Sequence, residues 1–237
     1  MSKPASPGSP ATQIIYLVIP TTHSIGDLDT EAGRLWSKAQ DIVERSAGFQ
    51  RLYWGRGFEE PENVQLHIAK KTLQHHHDFL NSLAYQHELL PILNHLTKDS
   101  ANNTKNPVMF IRHAYLADLT PGCKALGRVP GMPIATAVVL GTDESWDEGA
   151  WPLWTHVVRH VNGCKGVAGG KMVESLDGHD KCYLAYVAWD SVKRHDDYHN
   201  TKHFASRMII LQIGNKGLSE YGHIIFEGGR GKISAKL

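Results

Sequence analysis

Apolar and polar positions alternate along this chain in two repeating orders. Ile14–Ile19 and Ile134–Leu140 are short runs rich in β-branched residues, which predicts strands. Each is followed by a stretch with apolar residues at helical spacing. In Glu31–Ser46 these are Leu35, Ala39, Ile42 and Val43, and Glu148–Val161 reads the same way. Gly48 and Gly163 then stand where a helix-terminating glycine belongs. Two further strands are predicted at roughly 49–57 and 63–69, and again at 164–175 and 182–189. Their connections, Glu-Glu-Pro-Glu-Asn and Leu-Asp-Gly-His-Asp, carry turn chemistry. Thr72 and Ser191 are placed to cap second helices over 73–96 and 192–213. A last strand closes each unit at 107–116 and 219–227. The order β-α-β-β-α-β is that of a split βαβ, ferredoxin-like unit, occurring twice.

The two units also match residue by residue. At a constant offset of 119, Val64–Tyr85 and Tyr183–Phe204 share Ala69/Ala188, His76/His195, Asp78/Asp197 and Asn81/Asn200. Phe79 stands opposite Tyr198. Gly48–Arg56 aligns with Gly163–Lys171, and Ile111–His113 with Tyr221–His223. With the helical stretches that contain Trp36 and Trp151, four segments in one order point to an internal duplication. The expected organisation is a tail over 1–13, a first repeat over 14–117, a Gly/Pro-rich linker over 118–133 and a second repeat over 134–237.

Composition narrows the class. With 237 residues, 41% hydrophobic and 25 Lys+Arg against 24 Asp+Glu, the chain is neither disordered nor a coiled coil. A net charge of +1 argues against nucleic acid as a partner. No apolar run approaches the roughly 20 residues that cross a bilayer, and Met1–Gln13 has no secretory apolar region. Three cysteines without CxxC spacing read as reduced thiols, hence a cytoplasmic protein with no membrane partner. Histidine is the unusual entry, with 15 copies. Near pH 6.5, half of them would protonate and carry the charge to roughly +8.

The second copy, with AWDSVKRHDDYHNTKHF before a terminal YGH strand, resembles the dimeric α/β-barrel superfamily. It is most similar to fungal antibiotic-biosynthesis-monooxygenase-like and stress-responsive A/B-barrel proteins. The resemblance implies an α+β fold: two ferredoxin-like repeats closing one intramolecular, pseudo-dimeric barrel, helices outside. One chain then suffices, and a further homodimer is left open. It also resembles plant polyketide cyclases, whose S-V-x-x-x-x-D-Y helix supplies a substrate-holding tyrosine and, about six residues later, a basic histidine. Ser191-Val192 and Asp197-Tyr198 fit, but the sixth position is Phe204, with His203 one residue earlier.

These patterns nominate His199, His203, Tyr198 and His223 as catalytic. Period-two alternation sends Gln65 and His67 to the side opposite the apolar Val64, Leu66 and Ile68. His67 with its match Tyr186, His113 as the match of His223, and Trp54 as a stacking ring are expected against a small aromatic or polyketide-like substrate. His195, His199 and His203, spaced i, i+4, i+8, are the weak metal signal, and no metal is expected. No nucleotide, flavin or nicotinamide fingerprint occurs, so no cofactor is expected. The leading expectation is a cofactor-independent cyclase or isomerase that closes a ring by acid–base chemistry. A cofactor-free monooxygenase of phenols or anthrones is the second reading. A non-enzymatic small-molecule or haem binder is the third.

Overall fold

A computed structural model describes residues 8–97 and 108–231. The chain divides into two compact units. One runs to His113 and regains the chain from Glu227, and the other spans Ala114–Phe226.

The first unit contains β1 (Ala11–Val18), α1 (Glu31–Glu44), β2 (Phe49–Gly57), β3 (Asn63–Lys70), α2 (Leu73–Leu80), a π-turn (Ala84–Leu89), α3 (Leu90–Leu96) and β4 (Met109–Ala114). Its strand order is β4-β1-β3-β2. The second contains β5 (Ala117–Asp118), β6 (Pro133–Leu140), a π-turn (Ser145–Ala150), α4 (Trp151–Val158), β7 (Cys164–Lys171), β8 (Cys182–Trp189), α5 (Val192–His199), α6 (Lys202–Ala205) and β9 (Gly217–Gly231). Its order is β9-β6-β8-β7-β5. β1 and β2 each pair antiparallel with β3, and β6 and β7 each pair antiparallel with β8. Ala11–Gln13, expected within the tail, belong to β1, and Ala117–Asp118 pair with β7.

The duplication is visible in backbone detail. β2 carries a bulge between Phe49 and Arg51, and β7 carries one between Cys164 and Gly166. Gly48 and Gly163 both have positive φ (73° and 97°). Their carbonyls accept from Lys71 and Asp190 N–H, each at 2.9 Å, which matches the offset of 119. A Cβ on Gly48 would strike the His75 ring, and one on Gly163 the Arg194 stem, so both positions exclude larger residues. Thr72 and Ser191 cap α2 and α5 by accepting from His75 and Arg194 N–H.

The long second helices expected over 73–96 and 192–213 are both broken. Asn81 and Asn200 are the C-caps of α2 and α5. The chain then restarts, and Thr201 caps α6. A short polar side chain that bonds locally to backbone competes with helix continuation. Asn81 and Asn200 do this by donating to the carbonyls of His77 and Asp196.

Each sheet buries one face under its helices. In the first unit Ile15, Leu17, Leu52, Trp54, Val64, Leu66 and Ile68 pack against Trp36, Ala39, Ile42 and Val43 of α1 and against Phe79 and Leu93. In the second unit Ala135, Val139, Val167, Tyr183, Ala185 and Trp189 pack on Trp146, Trp151, Trp154 and Tyr198. Alternation leaves a second face, which carries Tyr53 and His67 in the first unit and Tyr186 in the second.

Candidate functional site

The duplicated histidines sit under the helices, at matched places in the two units. In the first, His76 of α2 lies beside His113 of β4, rings 5.4 Å apart. His76 is fully buried, and burial lowers its pKa to about 3, so the ring is neutral. Its Nε2 donates to the Ala11 carbonyl at 2.9 Å, which leaves Nδ1 as an acceptor. The Gln13 side-chain amide is placed with its Oε1 3.1 Å from that nitrogen, an orientation that would set two acceptors together. A neutral ring requires the Gln13 NH₂ there, and this also satisfies the amide nitrogen of a fully buried side chain. Copy one thus holds its histidine as a structural strut.

Copy two departs from this at one residue. In the strand registers Ala69 faces Thr12, and its counterpart Ala188 faces Ile134. Gln13 therefore corresponds to Ala135. Ala135 pairs directly with His223 on β9. With no glutamine to hold it, His195 turns to His223, and their Nδ1 and Nε2 are 2.7 Å apart. Both rings are buried, and His195 stacks on Trp189 at 4.9 Å.

Around this pair the apolar residues of copy one become titratable. The offset of 119 sets Phe79 against Tyr198, Leu80 against His199 and Ala84 against His203, and Ile111 stands against Tyr221. His199, half-buried, has its ring 4.4 Å from both His195 and Phe204. Desolvation pulls its pKa below the usual imidazole value, with His223 adding to the effect and Asp196 opposing it. Tyr198 is buried between Trp154, Trp189 and Phe204, and its hydroxyl meets His203 Nδ1 at 3.1 Å. Burial raises its pKa, so it stays protonated at neutral pH. Tyr221, 53% exposed, forms the outer edge, its centroid 6.4 Å from that of His199. The result is a partly open shelf of imidazole, phenol and phenyl rings, able to stack a planar substrate and exchange a proton with it.

The four nominated catalytic residues, His199, His203, Tyr198 and His223, thus stand in one cluster, but it lies on the helix side of the sheet. His223 does not face the side of the sheet away from the helices. It points instead to α5, because the strand parity that places Ala135 under the helices places its partner there too. The expected helical row of three histidines is also broken. α5 stops at His199, so His203 sits on α6 and turns to Tyr198.

The substrate-binding nominees are scattered. Trp54 packs edge-on against Trp36 at 5.5 Å in the core under α1, so it does not face a ligand. His113 is likewise against α2, its ring 5.7 Å from that of His77. His67 does take the face away from the helices. It stacks on Tyr53 at 4.7 Å and donates to Gln65 at 3.0 Å. Its pKa falls to about 3 through burial and the nearby Arg51, so it is too weak a base for chemistry at pH 7. Tyr186, in the other unit, is buried between Thr136 and Ala168 of the flanking strands. His195 as a partner of His223, Asp196 and Tyr221 were missed as site residues. The Ile111/Tyr221 difference was legible, whereas the Gln13/Ala135 difference needs the strand register.

No helix among the described residues is long and apolar enough to cross a membrane. No protein-family model matches the chain. No curated protein sequence matches it. Solved structures do match over nearly the full length. An anthrone oxidase-like protein aligns with a TM-score of 0.66 at 13% identity, covering 97% of each chain. A candidate monooxygenase of Lactobacillus acidophilus NCFM aligns at 0.57 and 11% identity, over 94% of this chain and 96% of the other. One from Fusobacterium nucleatum aligns at 0.57 and 10% identity, over 95% of each. The chain shares the α+β, ferredoxin-like fold of these structures.

Proposed function

We propose that the protein is an oxygenase that needs no organic cofactor and oxidises an electron-rich phenol or anthrone at the histidine–tyrosine shelf of its second unit. The observation that carries this reading is the local divergence of the two copies. Gln13, Phe79, Leu80, Ala84 and Ile111 of copy one become Ala135, Tyr198, His199, His203 and Tyr221 around one paired histidine. The structural matches supply the reaction class, since they carry anthrone oxidase-like and monooxygenase names. They also correct the expected ring closure: cyclase or isomerase chemistry finds no support among them, and oxygen chemistry does.

The chemistry needs little from the protein. An anthrone methylene or a phenol gives up a proton to His199, whose outer position reaches a ring lying on Tyr221 and Phe204. The resulting anion is electron-rich enough to reduce O₂ directly and combine with it. For a methylene, CH₂ + O₂ gives C=O + H₂O, so one oxygen atom enters the product and the other leaves as water. The substrate supplies all the electrons. Tyr198, held by His203, keeps a protonated hydroxyl beside the developing oxyanion.

His199→Gln tests this assignment, because it keeps size and polarity while removing the base. Anthrone oxidation in air is expected to fall by about 10²–10⁴-fold, with KM changed much less. Unchanged turnover in a folded His199→Gln protein would remove His199 from the mechanism.

A further inference from the structure

We propose that His195, His223 and Asp196 form a binding site for one divalent transition-metal ion of the zinc, cobalt or copper class. One ligand atom from each of the three lies within 4.8 Å of the others. This set differs from the i, i+4, i+8 row on one helix, because it joins two consecutive residues of α5 to a residue of β9. Two histidines and a carboxylate suit borderline transition ions, whereas Mg²⁺ and Ca²⁺ ask for oxygen ligands throughout.

The geometry is close to what such an ion needs. At Zn–N distances of about 2.0–2.1 Å, two nitrogens of a tetrahedral site lie about 3.3 Å apart. His195 Nδ1 and His223 Nε2 are 2.7 Å apart, so a parting of about 0.6 Å admits the metal. The proton between the rings then moves to the other nitrogen of the ring that held it. That is a tautomer change without change of charge. Asp196 is exposed and joins from the solvent side, giving the ion a route in and a negative charge to offset its own. A fourth position stays open for water.

Copy one cannot do the same, although it keeps both histidines. His76 has each nitrogen committed, one to the Ala11 carbonyl and one to Gln13. The site therefore arises from the same Gln13/Ala135 divergence, but its metal occupancy can be read without any turnover. A failure here leaves the oxygenase proposal standing, and the reverse also holds.

The test is titration of the full chain, first stripped with EDTA, with Co²⁺ followed by its visible d–d absorption and with Zn²⁺ by calorimetry. One equivalent per chain is expected. His223→Gln should weaken binding by at least about 100-fold and Asp196→Asn by about 10-fold. Asp196 is exposed, so its variant keeps the fold even if a buried-histidine variant does not. The exposed His156/His160 pair on and after α4, rings 5.4 Å apart, is the natural adventitious competitor. The His156→Gln/His160→Gln double variant should bind as the parent does. Three results would overturn the site: no saturable binding, binding unchanged in both Asp196→Asn and His223→Gln, or binding lost in the double variant.

Discussion

At the scale of single residues, one side chain separates a strut from a site. Gln13 completes the hydrogen bonding of a buried, neutral His76, and Ala135 leaves the equivalent His195 to His223. Gln13→Ala should therefore destabilise the first unit by about 1–3 kcal/mol. It leaves a buried ring nitrogen without a partner and opens a small cavity. Urea unfolding would measure it, and a change below about 0.5 kcal/mol would mean that the Gln13–His76 contact contributes little. Only part of this was readable from the chain alone. The matched histidines, the Phe79/Tyr198 exchange and the clustering of His199 with Tyr198 follow from the repeat offset. The partner of His195 does not, because Gln13 and Ala135 correspond only once each strand's register to its neighbour is known. Trp54 and His113 also lie on the helix side of their strands, which the chain alone did not show. A bulge at Phe49/Arg51 shifts the pairing at the start of β2, and the alternation of apolar residues on β4 is too weak to show which side is buried.

At the scale of elements, capping and glycine geometry explain why the predicted order of strands and helices was legible while the helix lengths were not. Thr72, Ser191, Gly48 and Gly163 are local signals, and each does locally what its chemistry dictates. The breaks at Asn81 and Asn200 are also local, but they lie within runs whose apolar spacing still reads as helix. The second break shapes the candidate site, since it swings His203 onto α6, where it meets Tyr198. Gly163 offers a clean test of the shared architecture. At φ 97°, and with Arg194 in the space of a Cβ, Gly163→Ala should cost about 1–3 kcal/mol, against near neutrality at the open position Gly149. Thermal unfolding of the two variants checks this, and equal midpoints would contradict it.

At the scale of the whole molecule, the excess of histidine becomes a statement about acid stability. His67 and His76 are fully buried and have folded pKa values near 3, well below the unfolded value of 6.5. Below pH 6.5 the unfolded chain binds protons that the folded chain refuses. Stability is thus full above about pH 6.5 and declines as pH falls towards 3, by up to about 5 kcal/mol for each residue. Denaturant melts from pH 7 to 4 should show this slope, and His76→Gln should flatten it. A stability independent of pH over that range would contradict the neutral, buried assignment. On the proposed function the two copies are used differently, the first for structure and the second for chemistry. The most direct test of that division is oxygen uptake by the full chain on an anthrone, with no cofactor added. One O₂ consumed per quinone formed, and a rate at least about 100-fold lower in His199→Gln, is the result predicted. Product formed equally fast under argon, or uptake undiminished in His199→Gln, would contradict it.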